Sequence, residues 1–289
     1  MNPATESLPA HEDMELGTLL ELFWSRRWLI VGSAVFFTAA ATIAAFVMTP
    51  VYRATAVLVP AEVEGRDAGA LSAALGSLGG LASLAGANLG SRDNATEEAL
   101  AVLRSRAFTE SFIRDRELMP MLFESDWDTD ANQWLDSADP PTMAEGFKYF
   151  NERVRGVARD TRTGLVLVRI DWRDPTQAAD WANDLVARLN AEMRARAIAR
   201  TNASVGYLEQ EMAKTSNVEL RTAISRLMEA QIHQRMLANV TEEYAFRIVD
   251  KALPADEDDP IRPRKLVMMI AGMGAGLFIA VIAVVLLRR

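Results

Sequence analysis

Apolar residues run without a charge through two stretches near opposite ends of the chain, and polar residues interrupt every apolar run between them. The first, 28–52, lies between Arg27 and Arg53; the second, 266–287, lies between Lys265 and Arg288. A hydrocarbon core about 30 Å thick is crossed by roughly 20 apolar residues in a helix rising about 1.5 Å per residue. Lipid offers the backbone no hydrogen bonds, so each stretch is predicted to form one spanning helix, over 28–49 and 266–287. The pattern therefore predicts two membrane spans bracketing one extramembrane domain, 50–265, with tails of 1–27 and 288–289 beyond them.

Inside the domain the period of the apolar positions changes several times. Residues 51–60 are rich in β-branched side chains and predict a strand leaving the membrane. Residues 65–90 form a Gly/Ala/Ser/Leu tract, too glycine-dense for a stable helix and too leucine-rich for a solvated linker. It reads either as a flexible loop or as a segment that orders against a neighbouring subunit. Asn94 followed by Glu97 predicts a helix start, running to about 104. A second helix is expected over about 107–118, stopping before Pro120, and a third from Thr142 and Glu145 to about 152. Residues 154–172 read as a hairpin with its turn at 160–164.

From 175 to about 241 the only helix-weakening glycine is Gly206, and apolar residues recur at helical spacing. They include Trp181, Leu185, Leu189 and Met193, then Leu220, Ile224, Leu227, Ile232, Met236 and Val240. The pattern predicts a long helix over about 176–241, with a weak patch at 215–217 as the place for a bend or break. A continuous helix of that length would extend about 100 Å. That exceeds what the domain needs for its own core, which points to packing between subunits. Residues 245–252 predict a returning strand, and Pro254, Pro260 and Pro263 then stiffen the approach to the second span. Ahead of the first span, 1–14 reads as disordered. Residues 15–28 read as a short amphipathic helix carrying Leu16, Leu19, Leu20 and Phe23.

Charge and composition narrow the function. The net charge of −8 lies mostly in the central domain, so binding to nucleic acid is disfavoured. Without cysteine there is no disulfide, thiolate nucleophile or cysteine-bound zinc. Of the two histidines, His11 lies in the N-terminal tail and His233 beside Gln231 and Gln234 on the long helix, where it reads as solvated. The acidic run 256–259 reads as a solvated charge cluster. Gly272, Gly274 and Gly276 fall inside an apolar span, which rules out a dinucleotide fingerprint and leaves Gly272 and Gly276 as a small-xxx-small packing face. No catalytic, cofactor-binding or metal-ligating constellation emerges. Orientation follows from Arg26 and Arg27 at one end and Arg288 and Arg289 at the other, which place both tails in the cytoplasm and the domain outside it. The acidic flank and long apolar region of the first span are wrong for a cleaved signal peptide.

Several of these stretches resemble one family. The entry segment Leu19-Leu-Glu-Leu-Phe-Trp-Ser-Arg-Arg-Trp28, the strand after Pro50-Val-Tyr, and Asp174-Pro175 opening a helix that carries Ala182-Asn183 are similar to chain length determinant (Wzz-type) proteins, the polysaccharide co-polymerases. Residues 243–254, followed by Pro260, Pro263-Arg-Lys265 and the glycine-bearing span, resemble that family's exit strand and membrane-proximal proline motif. The resemblance implies an α+β fold: two transmembrane helices bracketing a periplasmic base with a long extended helix, in the bacterial inner membrane. It further implies a homo-oligomer, often an octamer, that sets the length of O-antigen or a similar lipopolysaccharide or capsule polymer. Such a protein works with a Wzy-type polymerase and the polysaccharide chain, without catalytic residues or cofactors. The chain is short for the family, so a lower assembly is expected.

Two other functions compete. The glycine-rich tract is similar to the branch with a C-terminal tyrosine kinase, although the chain carries neither a Walker motif nor a tyrosine cluster. That branch suggests an export component of a capsule or exopolysaccharide machine, served by a separate kinase. A sensor ectodomain also has span–helices–span order but needs a cytoplasmic output domain, for which two residues after the second span leave no room. The predicted topology is testable because the chain lacks cysteine. A cysteine introduced at position 130 should react with an impermeant thiol reagent in intact spheroplasts, and one at position 5 should not. The reverse labelling pattern would invert the orientation.

Overall fold

The computed structural model describes residues 27–61 and 91–286. It divides into two compact units, one holding the two long apolar helices and the other comprising residues 51–259. The glycine-rich tract and the predicted amphipathic entry helix, except its last two residues, lie outside the described residues.

In the first unit, α1 (Arg27–Val47) is one of the two apolar helices; its partner enters at the end of the chain order. The larger unit begins with β1 (Tyr52–Pro60), followed after the glycine-rich tract by α2 (Ser91–Arg104) and α3 (Arg106–Asp115). A single turn, α4 (Met119–Leu122), leads to a two-stranded ribbon of β2 (Trp127–Asp128) and β3 (Gln133–Trp134). Next come α5 (Met143–Tyr149), a π-helical turn at Phe150–Val154, and the hairpin β4 (Arg155–Arg159) and β5 (Val166–Trp172). Two long helices, α6 (Pro175–Lys214) and α7 (Val218–Val240), precede β6 (Phe246–Asp250). The second apolar helix, α8 (Lys265–Leu286), pairs with α1.

The sheet has the order β4-β5-β1-β6 and is antiparallel throughout. Period-2 alternation gives it one apolar face: Tyr52, Ala54, Ala56 and Leu58 on β1, and Val166, Val168, Ile170 and Trp172 on β5, are all buried. In the register, Ala54 stands opposite Ile170 and Ala56 opposite Val168. Small residues on β1 beside large ones on β5 leave room for a helix to lie close. The N-terminal half of α6 takes that place, with Trp181, Leu185, Val186 and Leu189 buried in the same core. Trp172 and Trp181 meet with ring centroids 4.9 Å apart. On the opposite face Arg53 pairs bidentately with its cross-strand neighbour Asp171, at 2.6 and 2.7 Å, which holds the Arg53 guanidinium above its usual pKa.

Local signals account for most element ends. Asp174 caps α6 by accepting from Thr176 N and Gln177 N, and Pro175 occupies the first helical position. Thr142 and Glu145 complete a reciprocal capping box at the start of α5. Helix α3 ends earlier than Pro120 alone would require. Leu118 N donates to Ile113 O and Glu117 N to Arg114 O, with Glu117 at φ 51°, which is a Schellman closure built on a residue other than glycine. Helix α2 begins at Ser91, so Asn94 sits inside its first turn and is not its cap. The α-helix opened by Thr142 gives way to the π-helical turn after Tyr149 instead of reaching 152. Chemistry around the ribbon, where Trp127 and Trp134 meet edge to face at 4.8 Å, carried no sequence-level prediction.

The long helix predicted over 176–241 is broken at its weak patch into two. Residues 215–217 are not helical, and the chain reverses there, so that α7 packs back along α6 as a helical hairpin. Arg235 on α7 donates to Asn202 on α6 at 3.0 Å. The break has a local cause. Asn217 accepts from Glu219 N and Leu220 N and so starts a new helix, while Thr215 closes the first on Glu211 O. Helix α6 alone, at 40 residues, is about 60 Å long.

Two asparagines on the core-facing side of α6 hold the returning chain. Asn190, buried, donates to Phe246 O at 2.9 Å and accepts from Ala245 N and Phe246 N at 2.8 and 2.9 Å. Two helical turns earlier Asn183 makes the same double contact with the N and O of Ala252. Removing Asn190 would leave buried backbone groups of Phe246 unpaired, at a cost of about 2 kcal/mol. Asn190→Ala is accordingly expected to lower the midpoint of thermal unfolding, followed by circular dichroism in detergent. Asn239→Ala on the exposed side of α7 serves as the neutral comparison, and equal midpoints for the two variants would contradict this role.

Candidate functional site

Helices α1 and α8 are each long and apolar enough to cross a membrane, and they lie antiparallel against each other. Their outward residues are large and apolar, among them Phe36 and Phe278. Their shared face is small. Gly272, Gly276 and Ala280 are buried on α8, and a Cβ added at Gly272 would come within 2.6 Å of the Ala41 side chain and 2.8 Å of Phe37 O. At Gly276 the same atom would come within 2.8 Å of Ala34 Cα and Ser33 O. Both are closer than real Cβ atoms approach, so glycine here permits contact between the two backbones. Ser33 uses that proximity, its hydroxyl donating to Gly276 O at 2.9 Å. Gly274, two residues from each of them, faces open space.

The other sequence-selected residues scatter. Arg27 is the first residue of α1, while Arg26, Arg288 and Arg289 lie outside the described residues. Pro254 is exposed beyond β6; Pro263 is buried shortly before α8, and Pro260 is half-buried. The acidic run 256–259 is exposed and turns on a bond from Asp259 N to Asp256 O, with the Tyr52 hydroxyl donating to Glu257 O at 3.1 Å. Among the described residues no three His, Cys, Asp or Glu side chains converge in a way that could hold a metal ion. His233 is exposed on α7.

The hairpin of α6 and α7 leaves much of its apolar stripe uncovered. Ile224 and Ala238 are buried, whereas Val218 and Val240 are 76% and 78% exposed, with Tyr207, Leu220, Leu227 and Met236 also exposed. Folding α7 back on α6 thus satisfies only part of the apolar pattern.

Two further features had weaker sequence signals. Asn183 and Asn190 were visible as polar residues seven apart inside an apolar stripe, a spacing that puts both on one helix face. Arg155 had no such signal. It is buried without a carboxylate, donating to Leu103 O at 2.6 Å, Thr109 Oγ1 at 2.8 Å and Asn151 Oδ1 at 2.9 Å. Burial, reinforced by Arg104 nearby, pulls its pKa down to about 10, which still leaves it charged at neutral pH. It ties the end of α2 to α3 and to the π-helical turn. A network of Arg116, Asp184, Arg188 and Asp115 then joins α3 to α6, with contacts of 2.8 to 2.9 Å.

Comparison with known proteins adds three findings. No curated protein matches the chain. A solved full-length bacterial polysaccharide co-polymerase aligns with a TM-score of 0.42 at 14% identity, covering 94% of this chain and 96% of its own. Residues 12–116, a stretch that includes α1, β1, α2 and α3, match the family model of the chain length determinant proteins, Wzz.

Proposed function

We propose that the chain is a non-catalytic regulator of surface-polysaccharide chain length, resident in a bacterial inner membrane with residues 50–265 in the periplasm. The observation that carries this reading is the chain length determinant match over residues 12–116. The two apolar helices agree with it. A regulator of this kind acts by position, holding a Wzy-type polymerase or the growing polymer, O-antigen or a similar glycan, at a set place.

Position requires an assembly. The apolar residues left exposed along α6 and α7 supply a surface for further copies, so a homo-oligomer packs its hairpins side by side. Pro254, Pro260 and Pro263 restrict the backbone between β6 and α8, and the Gly272–Gly276 face keeps α8 against α1.

Two experiments test the proposal. Deleting the gene should replace a defined modal length of surface polysaccharide with an unregulated distribution on a gel, without abolishing polymer. An unchanged distribution would refute the reading, and a loss of capsule with normal lipopolysaccharide would assign the protein to capsule export. In the complemented strain, Gly272→Leu with Gly276→Leu should alter the length distribution at normal protein abundance. A wild-type distribution in that double variant would remove the spans from the mechanism.

A further inference from the structure

A cavity of about 290 Å³ lies between α6, α7, Glu98 of α2 and the segment that leads into β6. Tyr244 lines it, its ring buried and its hydroxyl bonded to no other group among the described residues while still open to solvent. Gln231 and Gln234, one turn apart on α7, line it too, and their amides are likewise unpaired among the described residues. Each amide offers two donors and an acceptor.

The remaining polar groups complete an alternating set. The Thr201 hydroxyl donates to Ala197 O and the Ser204 hydroxyl to Arg200 O, so both oxygens keep lone pairs for an incoming donor. Two arginines line the cavity, but each has a carboxylate: Arg196 bonds Glu192 at 2.7 Å, and Arg200 bonds Glu98 at 3.3 Å. Their charge is compensated, which disfavours phosphate or carboxylate ligands that seek an open cation. An apolar ligand would leave the two glutamines and the tyrosine unpaired on burial. A ligand dense in hydroxyl groups, each both donor and acceptor, satisfies all of them.

We propose that this cavity is a subsite for one uncharged sugar residue of a glycan, held by the Tyr244 hydroxyl and the amides of Gln231 and Gln234. The proposal rests on the polysaccharide reading above and gives that reading a place of contact.

The test is saturation-transfer-difference NMR on the full chain in detergent. The probe is oligosaccharide released by mild acid from the surface polysaccharide of the source strain. Transfer to sugar protons is expected with the unaltered chain. It should fall at least several-fold in Tyr244→Phe, which removes only the hydroxyl, and in Gln231→Ala on the half-exposed side. Leu227→Ala, on the exposed apolar stripe, should leave it unchanged, and 10 mM inorganic phosphate should not displace the sugar. The Gln231 variant keeps the test decisive should Tyr244→Phe fail to fold. Transfer that survives in both cavity variants, or that phosphate abolishes, would overturn the subsite. So would the absence of transfer with the unaltered chain. If the deletion strain still lost its modal length in that case, the polysaccharide reading would stand without this site.

Discussion

Four antiparallel strands with one apolar face need a cover, and the amino-terminal half of α6 provides it. Its apolar side chains fill the space left by Ala54 and Ala56 and meet the large residues of β5. Apolar burial alone would leave β6 free to slide, because hydrophobic contact has no direction. Asn190 and Asn183 remove that freedom. Each engages both the N–H and the C=O of one residue of the returning chain, so a shift by one position would strand buried polar groups. The same helix thus supplies the sheet's cover and fixes the line along which the chain leaves it.

Arg155 and the network around Arg188 do for the small helices what the asparagines do for the strand. A buried cation that finds a carbonyl, a hydroxyl and an amide specifies where those three groups stand, because losing any one leaves charge poorly solvated. Helices α2 and α3 are short and amphipathic, and their apolar residues could face the core at more than one rotation. The guanidinium contacts select one.

Much of this was legible in the sequence, and the failures have physical causes. Short runs of β-prone residues marked β1 and β5, the Asp174-Pro175 pair marked the start of α6, and the Thr142–Glu145 pair marked α5, because each depends on neighbours in sequence. The small face of the spans was legible as Gly272 and Gly276. Its partner Ser33 was not, since a serine within an apolar helix carries no label for what lies across from it. The reversal at 215–217 was visible only as weakness: both arms share one helical period, and periodicity cannot distinguish a straight rod from a rod folded in half. Tyr244 reads in sequence as part of a strand entry. Its missing hydrogen-bond partner becomes apparent only when α6, α7 and β6 are seen together.

The folded rod has a consequence for how such a protein could change over generations. Because the arms run in opposite directions, equal insertions in α6 and α7 cancel at the base and move only the tip. Seven residues added to each arm, two helical turns, would raise the tip by about 10 Å and preserve the facing of the apolar stripe. The asparagine contacts near the sheet would not register the change. Height would then be a freely adjustable dimension, inherited separately from the architecture that anchors it.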